Sequence, residues 1–327
     1  MNWRGQRVLV TGAGGFIGSH LTERLVQVGA TVRAFVQYNG RGDEGWLTMS
    51  PVRGEIEVLA GDIRDRESVS TALKDVDTVF HLAALIAIPY SYRCPQSYVE
   101  TNILGTLNVL LAARALSTAK IVHTSTSEVY GTARYVPIDE NHPLQGQSPY
   151  SASKIGADKL AEAFHLSFGV PIVTVRPFNT FGPRQSARAI IPTIATQALT
   201  SGPIRLGKLE PTRDLSYVSN TVDGFLRAAD VAGAVGHVVN LGSGSEISIG
   251  DLARLICTLT DRKCEIDEDP ERLRPQASEV ERLLADTTRA QQLLGWQPEV
   301  SLREGLVRTI SWIREHRDRF QPEHYAV

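Results

Sequence analysis

The apolar strand Val8-Leu9-Val10 runs straight into Thr11-Gly12-Ala13-Gly14-Gly15-Phe16-Ile17-Gly18. Beyond it, Ile17, Leu21, Leu25 and Val28 recur at helical spacing, and Gly29 closes the run as a C-terminal glycine does. A strand, a glycine-rich turn and a helix in that order leave few folds open. The glycines permit a tight turn and close backbone approach, and the helix start presents unpaired N–H groups to a pyrophosphate. The spacing is Gly12-x-x-Gly15-x-x-Gly18, a departure from the common G-x-G-x-x-G pattern. Gly12, Gly15, Phe16, Ile17 and Gly18 are the candidate dinucleotide contacts. The alternative is a glycine turn that only joins two packed elements.

Strands and helices keep alternating after this unit, which predicts an α/β fold with a parallel, doubly wound sheet. The second strand, Thr31 to Val36, should end beside an adenosine ribose, where an acidic residue often holds the 2′-hydroxyl. Val36 and Gln37 stand there instead, with Arg33 and Arg41 close by. NAD+ is the expected cofactor, and NADP+ stays open. Asp62-Ile63 follows the apolar stretch Ile56 to Ala60. Its carboxylate either meets adenine or caps the helix around Ser68 to Leu73. Val76 to His81 reads as a buried strand running into Leu82-Ala83-Ala84, small enough at its end for a flat cofactor to lie against. His81 reads as a satisfied core histidine. Asn102 should open a helix with Leu104, Leu107, Leu111 and Ala115 on one side.

With 327 residues, 42% hydrophobic and 21% charged, the composition is that of a soluble globular protein. The net charge of −2 gives no reason to expect nucleic acid or an anionic membrane as partner. Cys94, Cys257 and Cys264 show no metal-ligand spacing and read as reduced and structural, so no metal is expected. No apolar run is long enough to span a bilayer, and the N-terminus lacks a secretory pattern, so the expected location is the cytoplasm.

The stretch most suggestive of chemistry begins where Lys120-Ile121-Val122-His123 leads into Thr124-Ser125-Thr126-Ser127-Glu128-Val129-Tyr130-Gly131. It ends at Tyr150-Ser151-Ala152-Ser153-Lys154. Tyr150 and Lys154, four apart, share one face of a helix. A cation near a phenol favours the phenolate, a base suited to an alcohol proton. Taken alone, such a pair is more often a solvated helix face.

With these motifs in view, the chain resembles the extended short-chain dehydrogenase/reductase family, and within it the nucleotide-sugar enzymes. The resemblance rests on Thr11–Gly18, His81–Ala84, Asn102, Ser125–Gly131, Tyr150–Lys154 and Arg176-Pro-Phe-Asn-Thr-Phe-Gly-Pro-Arg184, and spans essentially the whole chain. Ala83 to Tyr92 and Gln145 to Tyr150 point more narrowly to the 4,6-dehydratases of nucleotide-linked N-acetylglucosamine, such as that of legionaminic acid synthesis. It implies a Rossmann sheet with a smaller C-terminal substrate lobe, a nicotinamide cofactor touching Asp62, Ile63, Leu82, Ala83 and Ala84 besides the glycine turn, and a homodimer.

It also implies a mechanism. Tyr150, supported by Lys154, takes the proton of the sugar C4 hydroxyl, which Thr126 holds, as hydride leaves C4. The 4-ketone acidifies C5, and Glu128 removes that proton. One departure stands out: glucose 4,6-dehydratases carry an Asp beside the Glu to protonate the leaving hydroxyl, and here that position is Ser127. The same string resembles UDP-glucuronate decarboxylases, and 4-epimerases share the first step, so both stay open as alternatives.

Beyond the strand Val170 to Arg176 the chain turns rich in Pro, Gly and Arg, which suggests departure into the substrate lobe. The expected division is residues 1–176 plus 212–242 for the dinucleotide and 177–211 plus 243–327 for the sugar nucleotide. Asn179, Arg213 and Arg274 resemble the family's diphosphate contacts, a task that suits the planar guanidinium fork. Each arginine alone fits an ordinary ion pair equally well. Arg184 is a further arginine of the same stretch. A last helix should open on the capping box Ser301-x-x-Glu304, and Arg314 to Val327 reads as a solvated tail.

Overall fold

A computed structural model describes residues 3–200, 202–273 and 275–320. Its centre is a parallel sheet built from β1 (Arg7–Thr11), β2 (Thr31–Gln37), β3 (Glu57–Gly61), β4 (Thr78–His81), β5 (Lys120–Thr124) and β6 (Ile172–Pro177). The smaller strands β7 (Asn179–Phe181), β8 (Ile204–Leu206) and β9 (Thr212–Tyr217) precede β10 (Val238–Leu241), the seventh strand of the large sheet. The order across that sheet is β10-β6-β5-β4-β1-β2-β3, every pair parallel. The order reverses between β1 and β4, which makes the crevice above their C-terminal ends the place for a ligand. Strands β4 and β6 are buried at every position, as a sheet covered by helices on both faces requires.

A second sheet of three strands joins β7, β9 and β11 (Glu246–Ser248), and β8 pairs with β12 (Ile266–Glu268). Within the 212–242 stretch, then, Thr212–Tyr217 hydrogen-bonds in the small sheet while Val238–Leu241 joins the large one.

Local chemistry explains the element ends. The Pro149–Phe168 helix starts on a reciprocal cap between Ser148 and Ser151 with Pro149 in its first turn, and stops at Gly169 with φ +67°. Ser248 caps Ile249–Leu259 by accepting from Asp251 N. Ser301 accepts from Glu304 N, but Glu304 turns its carboxylate to Arg308 rather than back to the cap. Asn102 does not open a helix; it lies inside a π-helical stretch, Val99–Leu104, that runs into Gly105–Ala115. The expected solvated tail is mostly exposed from Arg314 to Arg319, though it is not all tail. Helix continues to Glu315, and the Arg319 guanidinium packs 5.0 Å from the Trp46 ring. Residues 321–327 lie outside the described residues. No helix among the described residues is long and apolar enough to cross a membrane.

Candidate functional site

The glycine turn is shaped for close approach. Gly12 has φ +71°, and a Cβ there would sit 2.9 Å from the backbone nitrogen of Ala83. A Cβ on Gly18 would overlap the Gly12 carbonyl oxygen. Gly15 caps the Phe16–Gln27 helix without a side-chain partner, and its first turn carries no acid, so Phe16 and Ile17 offer their N–H groups at a bare helix start. These features fit the pyrophosphate of a dinucleotide. Thr11 ties the turn to the next strand end, its Oγ1 accepting from the nitrogens of Leu82 and Ala83 at 3.1 Å. Sequence reasoning missed Gly14, whose carbonyl accepts from Trp46 N at 2.9 Å and so draws the 44–49 segment over the turn.

His81 is the satisfied core residue expected. Its Nδ1 lies 2.9 Å from Thr11 Oγ1 and its Nε2 3.0 Å from Thr106 Oγ1, and burial pushes it well below the usual imidazole range. Thr106 gives its own proton to Asn102 O, so it accepts from His81 Nε2–H. Asn102 spans two parts of the crevice wall, bonding both backbone groups of Leu85 and Ser153 Oγ on the Tyr150 helix.

On the adenosine side Arg33 is committed elsewhere. Its Nε donates to Glu57 and its Nη1 to the carbonyls of Ala72 and Lys74. Asp62 does not cap the next helix; Asp65 does. Asp62 instead holds Arg64 in a two-pronged pair, whose hydrogen bonds pull its carboxyl below the usual range. Ile63 is buried against Gly105, and Asn108 fixes its carbonyl.

Across the crevice, Thr126 and Ser127 are buried and Glu128 is half-buried, on a single 3-10 turn, Ser127–Tyr130. Thr126 Oγ1 accepts from Glu128 N at 3.3 Å, which sets the direction of that turn. Tyr150 is buried, with its hydroxyl bonded to Thr126 and Glu128 close enough to act on its ionisation. Lys154 Nζ donates to Thr124 O at 2.6 Å. One expectation is corrected here: the phenol is not lowered. Burial raises it, Glu128 raises it further, and the Thr126 hydrogen bond opposes them only in part. The Lys154 ammonium spends its hydrogen bond on a carbonyl rather than on the phenol.

Behind Lys154 lies a buried network that sequence reasoning did not see. Asp158 accepts from Ser125 Oγ at 2.7 Å, His123 Nε2 at 3.0 Å and Arg176 Nη2 at 3.1 Å. Arg176 Nη1 donates to the Tyr130 hydroxyl, which donates in turn to Asn240 Oδ1. Asn240 N then donates to Glu140, which faces Arg289 at 3.4 Å. Only the helical spacing of Asp158 behind Lys154 hinted at it.

In the smaller lobe, Asn179 Oδ1 is buried without a hydrogen-bond partner, as a group awaiting a ligand donor would be. Arg213 is buried and reaches Glu279 at 3.2 Å. Arg184, at φ +71°, bonds Ser19 and Glu23 on the glycine-turn helix and so links the lobes. Arg274 lies outside the described residues.

Known proteins resemble this chain along nearly its whole length. Residues 9–309 match the family described as GDP-mannose 4,6 dehydratase. Over 315 residues the chain is 33% identical to a UDP-glucose 4-epimerase of Mycolicibacterium smegmatis, covering 94% of this chain and 98% of that one. It superimposes with a TM-score of 0.87 on the dTDP-glucose 4,6-dehydratase of Streptomyces venezuelae, a structure holding NAD, at 30% identity over 97% of this chain and 99% of that one. The UDP-glucuronic acid 4-epimerase of Bacillus cereus, in complex with UDP-glucuronic acid and NAD, also superimposes at 0.87, with 29% identity over 95% and 100% of the two chains. This chain therefore belongs to the extended short-chain dehydrogenase/reductase family of nucleotide-sugar epimerases and dehydratases, enzymes that work through oxidation at the sugar C4.

Proposed function

We propose that the protein is a nucleotide-sugar 4,6-dehydratase, with UDP- or GDP-N-acetylglucosamine as substrate and the 4-keto-6-deoxy sugar as product. The observation that carries this reading is the position of Glu128, on the turn capped by Thr126 and within electrostatic reach of Tyr150. Oxidation at C4 needs one base. Dehydration needs a second, for the C5 proton, and a carboxylate beside the first base supplies it.

Bound at the glycine turn, a nicotinamide supplies the acceptor for the C4 hydride and its later return to C6. NAD fits better than NADP, because Arg33 is already tied to Glu57 and two carbonyls. Tyr150 takes the C4 hydroxyl proton, Thr126 holds that hydroxyl, and Lys154 supplies the positive charge that eases phenol ionisation. Glu128 removes the C5 proton and passes it to the C6 oxygen, which leaves as water, since a serine at 127 is too weak an acid at neutral pH. When hydride returns to C6, C5 takes up a proton, balanced by the one Tyr150 accepted from the C4 hydroxyl. Asn179 and Arg213, with Arg274, are the proposed diphosphate contacts, and the unpartnered Asn179 Oδ1 supports the first of these. The working assembly in this reading is a cytoplasmic homodimer.

Ser127 favours a second reading, in which the same C4 oxidation serves decarboxylation of UDP-glucuronate or epimerisation at C4. Incubation with each nucleotide sugar, followed by mass, separates them. Loss of water supports dehydration, and loss of carbon dioxide supports decarboxylation. An altered sugar of unchanged mass points to epimerisation and overturns the first reading.

A further inference from the structure

The pocket of Lys154 does not suit a cation. The residue is 4% exposed, and burial pulls its ammonium down to about 8. Its hydrogen bond goes to a neutral carbonyl. His81 on β4 and His123 on β5, which line the same interior, are both depressed by burial and so stay neutral. Tyr150 precedes it on the helix, and Glu128, Tyr98 and Asp158 each oppose ionisation of that phenol. One group supports the charge: Asp158, one helical turn on.

Asp158 is itself buried, and burial alone would protonate it. The hydrogen bonds from His123 and Ser125 and the charge of Arg176 outweigh that and hold it below the ordinary carboxylate range. An ionised carboxylate only accepts, so neutral His123 carries its proton on Nε2, and its Nδ1 is left without a partner. His123 and Ser125 thus stabilise the carboxylate without cancelling its charge. Arg176, from β6, is its one fixed countercharge besides Lys154.

Resting on the reading that Lys154 serves C4 oxidation as a cation, we propose that Asp158 is a positioning residue whose buried carboxylate, fixed by Ser125, His123 and Arg176, keeps the Lys154 ammonium charged beside Tyr150. Residues four apart on a helix are neighbours on one face, and the Asp158 charge acts on Lys154 through an interior of low dielectric rather than by a direct hydrogen bond. His123 lies on β5, Ser125 directly follows it and Arg176 lies on β6, so these three hydrogen bonds fix the carboxylate to the sheet. A cavity of about 380 Å³ reaches Asp158 and Arg176 without touching Tyr150 or Lys154. The other charged and titratable groups on its wall are Glu140, His142, Lys159, Glu162, His165 and His237. The carboxylate therefore acts on Lys154 from one side and faces these groups on the other.

The test follows the Lys154 ammonium directly, in the full-length protein with NAD+ added. Lysines labelled with ¹³C at Cε are titrated by NMR, and the Lys154 signal is identified by its loss in Lys154→Arg. Asp158→Asn should move the midpoint down by about one unit or more, the size expected for losing one nearby opposite charge. Asp158→Glu should restore it, and the alkaline limb of the oxidation rate should move with it. An unchanged midpoint in Asp158→Asn overturns the proposal. If that variant does not fold, Asp158→Asn combined with Arg176→Met removes the pair together. The midpoint must still fall, because the charge acting on Lys154 is that of Asp158 and not of Arg176. No sugar is needed for the titration, so absence of dehydration with the shift intact would count against the proposed reaction and leave this inference standing.

Discussion

The Tyr130 hydroxyl donates to Asn240 Oδ1 at 2.7 Å, joining the turn that carries Glu128 to the outermost strand of the sheet. Arg176 completes the joint by donating to the same oxygen at 3.0 Å. Tyr130→Phe removes both bonds and strands two buried polar groups, a loss of about 1–3 kcal/mol. Denaturant unfolding should show that loss. Turnover should also fall, since the turn beneath Glu128 is freed at one end; wild-type stability and rate together would refute the joint.

Glu128→Gln separates the two bases. The variant should still reduce the cofactor when the sugar nucleotide is added, seen as nicotinamide absorbance, and then stall before water is lost. A drop of about 10²–10⁴-fold in dehydration is the range for losing a positioned proton-transfer group. Full activity would remove Glu128 from the chemistry.

Gly12→Ala tests the cradle. A left-handed backbone costs a residue with a side chain about 1–2 kcal/mol, and the new methyl would press on the Ala83 nitrogen from 2.9 Å. Cofactor affinity measured by calorimetry should fall at least about tenfold, the equivalent of about 1.4 kcal/mol. Unaltered affinity would mean that the turn does not hold the dinucleotide.

Two pH dependences follow from burial at the site. Lys154 is lowered to about 8, so its charge is present below that pH and lost above it. The rate of C4 oxidation should fall as pH rises through about 8. The unfolded chain keeps this proton up to the ordinary lysine range, near 10.4, so this group favours folding increasingly as pH rises between about 8 and 10.4. Tyr150 moves the other way, raised by burial. In the cofactor-free protein, ultraviolet difference spectra against Tyr150→Phe should show no tyrosinate from this residue below about pH 10, the ordinary phenol value, so the base form is drawn out only with cofactor and sugar bound.

Much of the fold was legible because its signals are local. The glycine turn, the helical spacing of Leu21 and Leu25, and the buried strands on either side of it need no distant partner to be read. Tyr150 and Lys154 share a helix, and that common helix was legible too. Asp158 was not, because its meaning depends on Ser125, Arg176 and His123 arriving from two other strands. Asp62 was ambiguous for a related reason. Two aspartates precede the same helix, and only the backbone path decides that Asp65 caps it. The phenol was misjudged because helical spacing gives the neighbour's charge but neither the depth of burial nor where Lys154 sends its hydrogen bond.

Trp46, whose backbone is bonded to Gly14, meets Trp312 of the Leu302–Glu315 helix edge-on, the ring centroids 5.4 Å apart. The glycine turn is thus latched by the Leu302–Glu315 helix. During synthesis the Rossmann half emerges well before the helix that fastens its glycine turn. A chain truncated before Trp312 would keep every residue proposed to touch the cofactor and still lose the brace behind them.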